Sequence, residues 1–530
     1  MVFINPVVQR LYFRHSQSLP SLFRFSVFCV SCPRISSNSA TYSSMPVEST
    51  FNKDLFFIIF GIYMAGMVVL GWWVSRGQKT GDDFLLGGRK VPFLLVLGTT
   101  IATMVGTGSS MGAVGKAYVQ GWAGALFAIG GALGLFFLAR FFADVRKYNF
   151  MTLSEEMSFY YGGNRLIKGI VGVAIFFASV GWLGTHILGG SLYLNWVAGI
   201  DMTTAKVLVA SGFTIYVIIG GYTAVVWTDT IQAVVLFFGF ILMAFLCLNK
   251  IDVWGNPDVL FNPQYFTFLG SGQILGSITV VISIFISVAT VPSFRQRIYS
   301  SKDKRTVQRS YYISALLYLL FAIIPVIVGI TAYNLIPEIP KPDQAFPELV
   351  TKIMPVSIGI IVLIAGLSAV ISSASSDAIA GTSILLRDIF ILLTGKMPPK
   401  ERAITYSRYG AMITSMCAVL FSMLSDNIFD YIKDMVGIVM SGMFVCAVFG
   451  KFWKRSTWQG GVAALITGSA TALIVIFVPE WKAFFGGVTI PSVVVSSIFC
   501  VVVSLITPPN TITDEEALAS LEKEREVFEA

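Results

Sequence analysis

From residue 54 to residue 507 the chain alternates between long apolar runs and short polar connections. A run of about 20 apolar residues can cross a bilayer as a helix. Thirteen such runs are present: 54–75, 91–115, 121–142, 166–194, 203–221, 229–249, 272–294, 310–334, 354–386, 406–424, 430–450, 457–478 and 487–507. The pattern predicts an all-α integral membrane protein with thirteen transmembrane helices. Nothing outside these runs is long enough for a second folded domain. The longest external connections, near 250–271 and 335–353, bear prolines and read as loops.

Composition sharpens the class. Of 530 residues, 55% are hydrophobic and 12% charged, against about 25% charged in an average soluble domain. That excludes a soluble enzyme, a disordered scaffold and a nucleic-acid binder, and makes the lipid bilayer the expected partner. The 48 glycines suit membrane helices, where small residues let backbones approach. Four of the six cysteines lie in apolar runs and read as core residues, not a disulfide framework. The two histidines, His15 and His186, are too few for a His-rich metal site.

The net charge of +8 is a matter of placement. With the connections numbered in order, 23 Lys and Arg fall on or beside the odd ones and 7 on the even ones. Positive charge gathers on the cytoplasmic side. The alternation therefore puts the odd connections and the C-terminus in the cytoplasm and the N-terminus outside, with the plasma membrane as the default location. Residues 1–50 break the pattern. They carry Arg10, Arg14, Arg24 and Arg34, many serines, and no acid before Glu48. Two readings fit this basic N-terminal extension: a transit-like segment, or an unused upstream start with Met45 as the working start, which is favoured. The membrane domain then spans 51–510, and 511–530 is an acidic cytoplasmic tail. Ala517, Leu518 and Leu521 in that tail suit a short amphipathic helix.

Two runs look unlike plain spans. Residues 99–112 crowd Thr, Ser and Gly around Gly106 and Gly108. Each interior glycine costs a helix about 1 kcal/mol. Unwound backbone is tolerated at membrane depth only where it lines a cavity or is covered by protein. Such a break would free carbonyls for a cation, and its hydroxyls (Thr103, Thr107, Ser109) would face a solute. A small-residue packing face fits the composition equally well. The second run reads Ala369-Val370-Ile371-Ser372-Ser373-Ala374-Ser375-Ser376-Asp377. Four hydroxyls within five residues suit a hard, singly charged cation such as Na⁺. Each serine could instead bond back to the carbonyl four residues earlier.

Ionisable residues inside a membrane suggest function. Asp229 opens the sixth run near the cytoplasmic side, where it could serve a cation or cap its helix. His186, isolated among Gly and Thr, reads as a hydrogen-bonded packing residue ahead of a proton relay. Asp377 reads as a local cap or partner. No Gly-x-x-x-x-Gly-Lys-Ser/Thr phosphate loop and no His-Glu-x-x-His motif occur, so neither an ATP-driven pump nor an enzyme is expected.

Five ordered motifs give the chain a family resemblance. Asp82-Asp83-Phe84-Leu85-Leu86-Gly87-Gly88-Arg89 follows the first run. Thr152-Leu153-Ser154-Glu155-Glu156 follows the third, and Gly220-Gly221 leads to Trp227-Thr228-Asp229 and Gln232. Gln296-Arg297 precedes Ser301-Lys302-Asp303, and the Ser-rich helix runs on to Thr382, Arg387 and Asp388. Together they resemble the sodium:solute symporter family over about 54–507. The resemblance implies a five-plus-five inverted-repeat, leucine-transporter-like core. It also implies a sodium site on backbone oxygens of Ala102, Val105 and Ala369 with the hydroxyls of Ser372 and Ser373. Some members have a second sodium site, which would fall on Asp229, Ser375 and Ser376.

The expected activity is a sodium-coupled symporter that imports a small organic solute by alternating access. Na⁺ is the coupling ion and no other cofactor is expected. Met104, Thr107, Gly108 and Ser109 stand where sugar-carrying members have amides or acids, which argues against a richly polar sugar. The rivals are a proton-coupled transporter, disfavoured because Asp229 is the one expected buried carboxylate, and a membrane solute sensor, which would need a larger signalling domain.

Overall fold

A computed structural model describes residues 52–529, apart from 262–273, 396–399 and 424–427. The reading of 1–50 as a basic extension lies outside the described residues. Among those residues every regular element is helical, and one isolated bridge joins Val91 to Ser301. The main helices are α1 (Lys53–Ser75), α2 (Phe93–Met104), α3 (Leu126–Phe141), α4 (Arg165–Ala198), α5 (Met202–Lys250), α6 (Ile274–Thr290) and α7 (Pro292–Ser300). They continue as α8 (Lys304–Phe321), α9 (Ile323–Leu335), α10 (Val356–Ile384), α11 (Ala403–Ser422), α12 (Ser441–Phe452), α13 (Trp458–Phe477), α14 (Thr489–Ile506) and α15 (Asp514–Glu529).

Among the described residues, nine helical stretches are long and apolar enough to cross a membrane, or ten if α6 and α7, bent by 40°, form one span. Large apolar side chains such as Leu133, Phe238 and Leu420 stay exposed on the outside. Water would penalise that surface, whereas lipid accepts it. The apolar runs are all helical, but they divide differently from the hydropathy pattern. α2 is a short helix that stops at a break. The runs 203–221 and 229–249 share one 49-residue element, turned at Gly221 (φ 56°, ψ −163°). A side chain there would be strained, and its Cβ would stand 2.8 Å from the Phe84 ring. The expected loop at 335–353 is a correction. It folds into a 3₁₀ turn, Pro342–Gln344, and a helix, Ala345–Ile353, whose Phe346, Leu349 and Val350 are buried.

The motifs act first as caps and staples. Thr80 and Asp83 form a reciprocal capping box on the short helix Gly81–Leu86, which stops at left-handed Gly87. Arg89 then bonds Asp82 at 3.1 Å and the carbonyl of Asn149 at 2.7 Å. The Gln296 amide donates to the Leu85 carbonyl at 2.7 Å and to Ser383 at 3.1 Å. Three motifs distant in sequence thus meet beside α10, which is buried throughout Ile360–Ile384 except for Ile361 and packs against α5, α4 and α2.

The tail helix α15 docks through Ala517 and Leu521, both 1% exposed. The Arg525 guanidinium donates to Glu155 at 2.7 Å, and Glu524 pairs with Lys168 at 3.3 Å. Burial alone would raise the Glu155 carboxyl. Arg525, Lys168 and the Met151 amide outweigh it and hold the group below the usual carboxylate range. A depressed folded-state value means the latch is fully formed above the ordinary carboxylate range and is lost as pH falls through the depressed one. Hydrogen exchange over 514–529 should therefore rise on acidification, and Arg525→Ala should raise it already at neutral pH. Equal protection in the two proteins would refute the latch.

Candidate functional site

The break after α2 creates the site. Helix ends leave carbonyls without intrahelical partners, and here serine hydroxyls take them. Ser372 donates towards the Ala102 carbonyl at 3.2 Å, and Ser373 towards that of Thr103 at 3.2 Å. Both also reach the Ala369 carbonyl of their own helix, at 3.2 and 3.1 Å. Ser109 closes on Met104 at 2.7 Å and Ser110 on Gly106 at 2.8 Å. The chain resumes as a π-helical turn, Gly108–Gly112. Ser372, Ser373, Ala102, Val105 and Ala369 are all 0% exposed.

Of the five residues expected around sodium, the geometry joins Ala102, Ala369, Ser372 and Ser373 directly. Val105 is buried at the turn itself (φ −87°, ψ 59°), and no described hydrogen bond brings its carbonyl to the serines. The Thr103 carbonyl meets Ser373 instead. The Ser373 bond to Ala369 is the back-bond that the sequence left open, Ser372 reaches the same carbonyl from three residues on, and the bonds to Ala102 and Thr103 exist beside them. The separation between the helices is set by Gly106, where an added Cβ would lie 2.6 Å from the Ser373 hydroxyl. Gly106→Ala should cost about 1–3 kcal/mol in overpacking and lower sodium-stimulated transport more than protein yield. Unaltered sodium dependence in folded Gly106→Ala would contradict this packing role.

Asp229, Ser375 and Ser376 also come together. Ser376 donates to Asp229 at 3.0 Å, Thr99 donates at 2.6 Å, and Ser375 stands at 3.5 Å. Asp229 does not sit at an accessible edge, as its run suggested; it is 0% exposed. A cation already faces it. Arg297 of α7 places Nη2 3.8 Å from the carboxylate and donates to Ser376, Thr99 and Thr103 at 2.8, 2.8 and 2.5 Å.

The proposed solute-facing hydroxyls divide. Thr103 and Ser109 line a narrow cavity beside the break, about 40 Å³ in volume, together with Trp182, His186, Phe294 and Asp377. Thr107 bonds the ring of His186, Nδ1 to Oγ1, at 3.0 Å. His186 Nε2 lies 3.2 Å from Asp377. Asp377 is therefore paired across 191 residues and is not a local cap.

Sequence reasoning missed a second buried ion pair. Glu156 meets Arg295 at 2.8 Å, accepts from Tyr160 at 2.7 Å and is also bonded by Tyr299. Arg295 and Arg297 counted among the loop charges, yet each is 1% exposed. Buried carboxylates are also more numerous than Asp229 alone: Glu155, Glu156, Asp343, Asp377, Asp388 and Glu524 join it among the described residues. The available signal was the recurrence of acids and arginines in the motifs.

Comparison with known proteins places these features in context. Residues 84–468 match the sodium:solute symporter family. The chain is 25% identical to the sodium/glucose cotransporter of Vibrio parahaemolyticus, over 80% of this chain and 85% of that protein. It is 25% identical to the sodium/pantothenate symporter of Haemophilus influenzae, over 75% and 85%. The sodium/proline symporter of Escherichia coli is 24% identical, over 85% and 92%. In fold, the chain resembles a substrate-bound, outward-open Na⁺-coupled sialic acid symporter, with a TM-score of 0.72 at 21% identity, over 87% and 99% of the two chains.

Proposed function

We propose that this chain, which belongs to the sodium:solute symporter family, holds its coupling sodium between the broken end of α2 and the serines of α10. It is a multi-pass membrane protein and a sodium-coupled solute symporter. The observation that carries the siting is the set of oxygens from Ala102, Thr103, Ala369, Ser372 and Ser373, buried and in mutual reach across two helices. Hydroxyl and carbonyl oxygens suit a hard monovalent ion.

Sodium bound there would tie α2 to α10 and favour the state open to the outside. Solute would then enter the cavity beside the break, and the two halves of the core would rock to release both inside. The thirteen-span count, the five-plus-five repeat, the cytoplasmic C-terminus and the plasma-membrane location belong to this reading. Coupling requires sodium and solute to bind one state better than the other. Each charge crossing with the potential contributes about 2.3 kcal/mol per 100 mV. The cluster at Asp229 would be a second sodium site only with Arg297 withdrawn, so the first site carries the coupling.

The relatives carry glucose, pantothenate and proline. For this chain the solute is a small organic compound with few polar groups. Uptake of a labelled panel (amino acids, amines, short carboxylates, pantothenate, sugars) into proteoliposomes tests the assignment. Accumulation should require an inward sodium gradient. Accumulation driven by a proton gradient instead would overturn it and turn attention to the buried carboxylates.

A further inference from the structure

We infer that the transported solute carries an ammonium group and that Asp377 receives it. This rests on the reading of the cavity beside the α2 break as the solute site, and it names the chemistry that cavity selects.

Among the described lining residues Asp377 is the one carboxylate, and no lysine or arginine accompanies it. Its side chain is 4% exposed. His186 takes Oδ2, and none of the described hydrogen bonds uses Oδ1. The imidazole is itself held by Thr107 on its other nitrogen, so the carboxylate is fixed in direction. Arg297 touches Thr103 on the cavity wall, but its Nη2 is committed to Thr99, Ser376 and the Asp229 charge. The site therefore offers an oriented carboxylate paired with His186, and no lysine or arginine on the described wall. A solute bearing only a carboxylate would meet repulsion there, and a ligand ammonium would gain a charge-assisted hydrogen bond.

The same cavity also offers donors to an acceptor on the ligand. The Trp182 indole N–H and the Ser293 hydroxyl are buried, face no protein partner and belong to the same cavity. Ser293 is 1% exposed. Buried polar groups are seldom left unpaired, and ligand oxygens would satisfy them. The lining also carries the rings of Phe127, Phe294 and Tyr318. Aromatic faces also favour a cation. The preferred ligand is a small amine or amino acid with an apolar body and one or two oxygens.

The test uses the purified full-length protein and matched pairs of compounds, with thermal stability read in NaCl and in KCl. The pairs are leucine and 4-methylpentanoate, phenylalanine and 3-phenylpropionate, phenethylamine and 2-phenylethanol, ethanolamine and ethylene glycol. At least one ammonium-bearing member should stabilise the protein in NaCl while its nitrogen-free partner does not. Asp377→Asn should weaken that compound's affinity by about tenfold or more while keeping the stabilisation by sodium alone. Asp377→Glu should recover part of the loss.

Stabilisation by nitrogen-free members in preference, by none of the ammonium compounds, or undiminished in a folded Asp377→Asn protein would each overturn the inference. The sodium reading fails separately. Wild-type protein equally stable in NaCl and KCl, with Ser373→Ala unchanged, would remove the sodium siting while the ammonium selectivity could still be read from the pairs.

Discussion

Replacing Ser373 by alanine should raise the sodium concentration for half-maximal uptake by about tenfold or more, with protein yield close to wild type. Among the described hydrogen bonds, this hydroxyl links the Thr103 carbonyl of α2 to the Ala369 carbonyl of α10. Without it the Thr103 and Ala369 carbonyls each lose a partner, and a sodium bound there would lose a ligand. The substitution removes a single oxygen from a fully buried position, so the helix itself, with alanine the best helix former, is not disturbed. Ser372→Ala should behave similarly, through Ala102. Uptake by proteoliposomes over a series of sodium concentrations checks both. A Ser373→Ala protein with wild-type sodium dependence would refute the proposed siting.

Asp229→Asn should produce the largest loss of stability of any single change at the site. It leaves the Arg297 guanidinium, 1% exposed, without its counter-charge. Breaking a buried ion pair on one side costs about 3–5 kcal/mol, whereas replacing both partners by neutral groups is often tolerated. Asp229→Asn combined with Arg297→Met should therefore recover much of the melting temperature lost by the single change. Additive losses in the double variant would show that the two groups do not act as a pair. Sodium cooperativity in the recovered protein reports on the second role of this cluster. Cooperative uptake that becomes non-cooperative would assign a second ion to Asp229, and an unchanged profile would leave Asp229 as the partner of Arg297 alone.

Glu156 and Arg295 invite the same logic at a different place. Their pair is equally buried, and Tyr160 and Tyr299 complete the carboxylate's hydrogen bonds. This second ion pair braces α7 against the helix Leu153–Tyr160, and α7 carries Arg297 into the site.

Much of this protein is legible along the chain. Hydropathy has a period and a length, both local properties, so the apolar runs, their helical state and the membrane class follow directly from residue order. The Gly106 region and the Ser372–Ser376 cluster stand out for a related reason. Glycine and hydroxyl residues are costly in the middle of an apolar helix, and their crowding is visible without a partner in view. The amphipathic helix of the tail, with Ala517 and Leu521 on its buried face, follows from the same kind of local periodicity; its docking does not.

What the tertiary structure alone decided is which groups face each other. Ser372 meets Ala102 across 270 residues, Thr99 meets Asp229 across 130, and His186 meets Asp377 across 191. Local patterns carry no information at those separations. Charge placement misled for the same reason: Arg295 and Arg297 look like loop charges until buried acids from other helices appear beside them. The exchange of Thr103 for Val105 at the serines depends on the angle of the α2 break, which glycine content announces and only packing sets. In a bilayer a buried charge is stable only when its partner is in place, so those pairings, made by the fold, give the motif residues their chemistry.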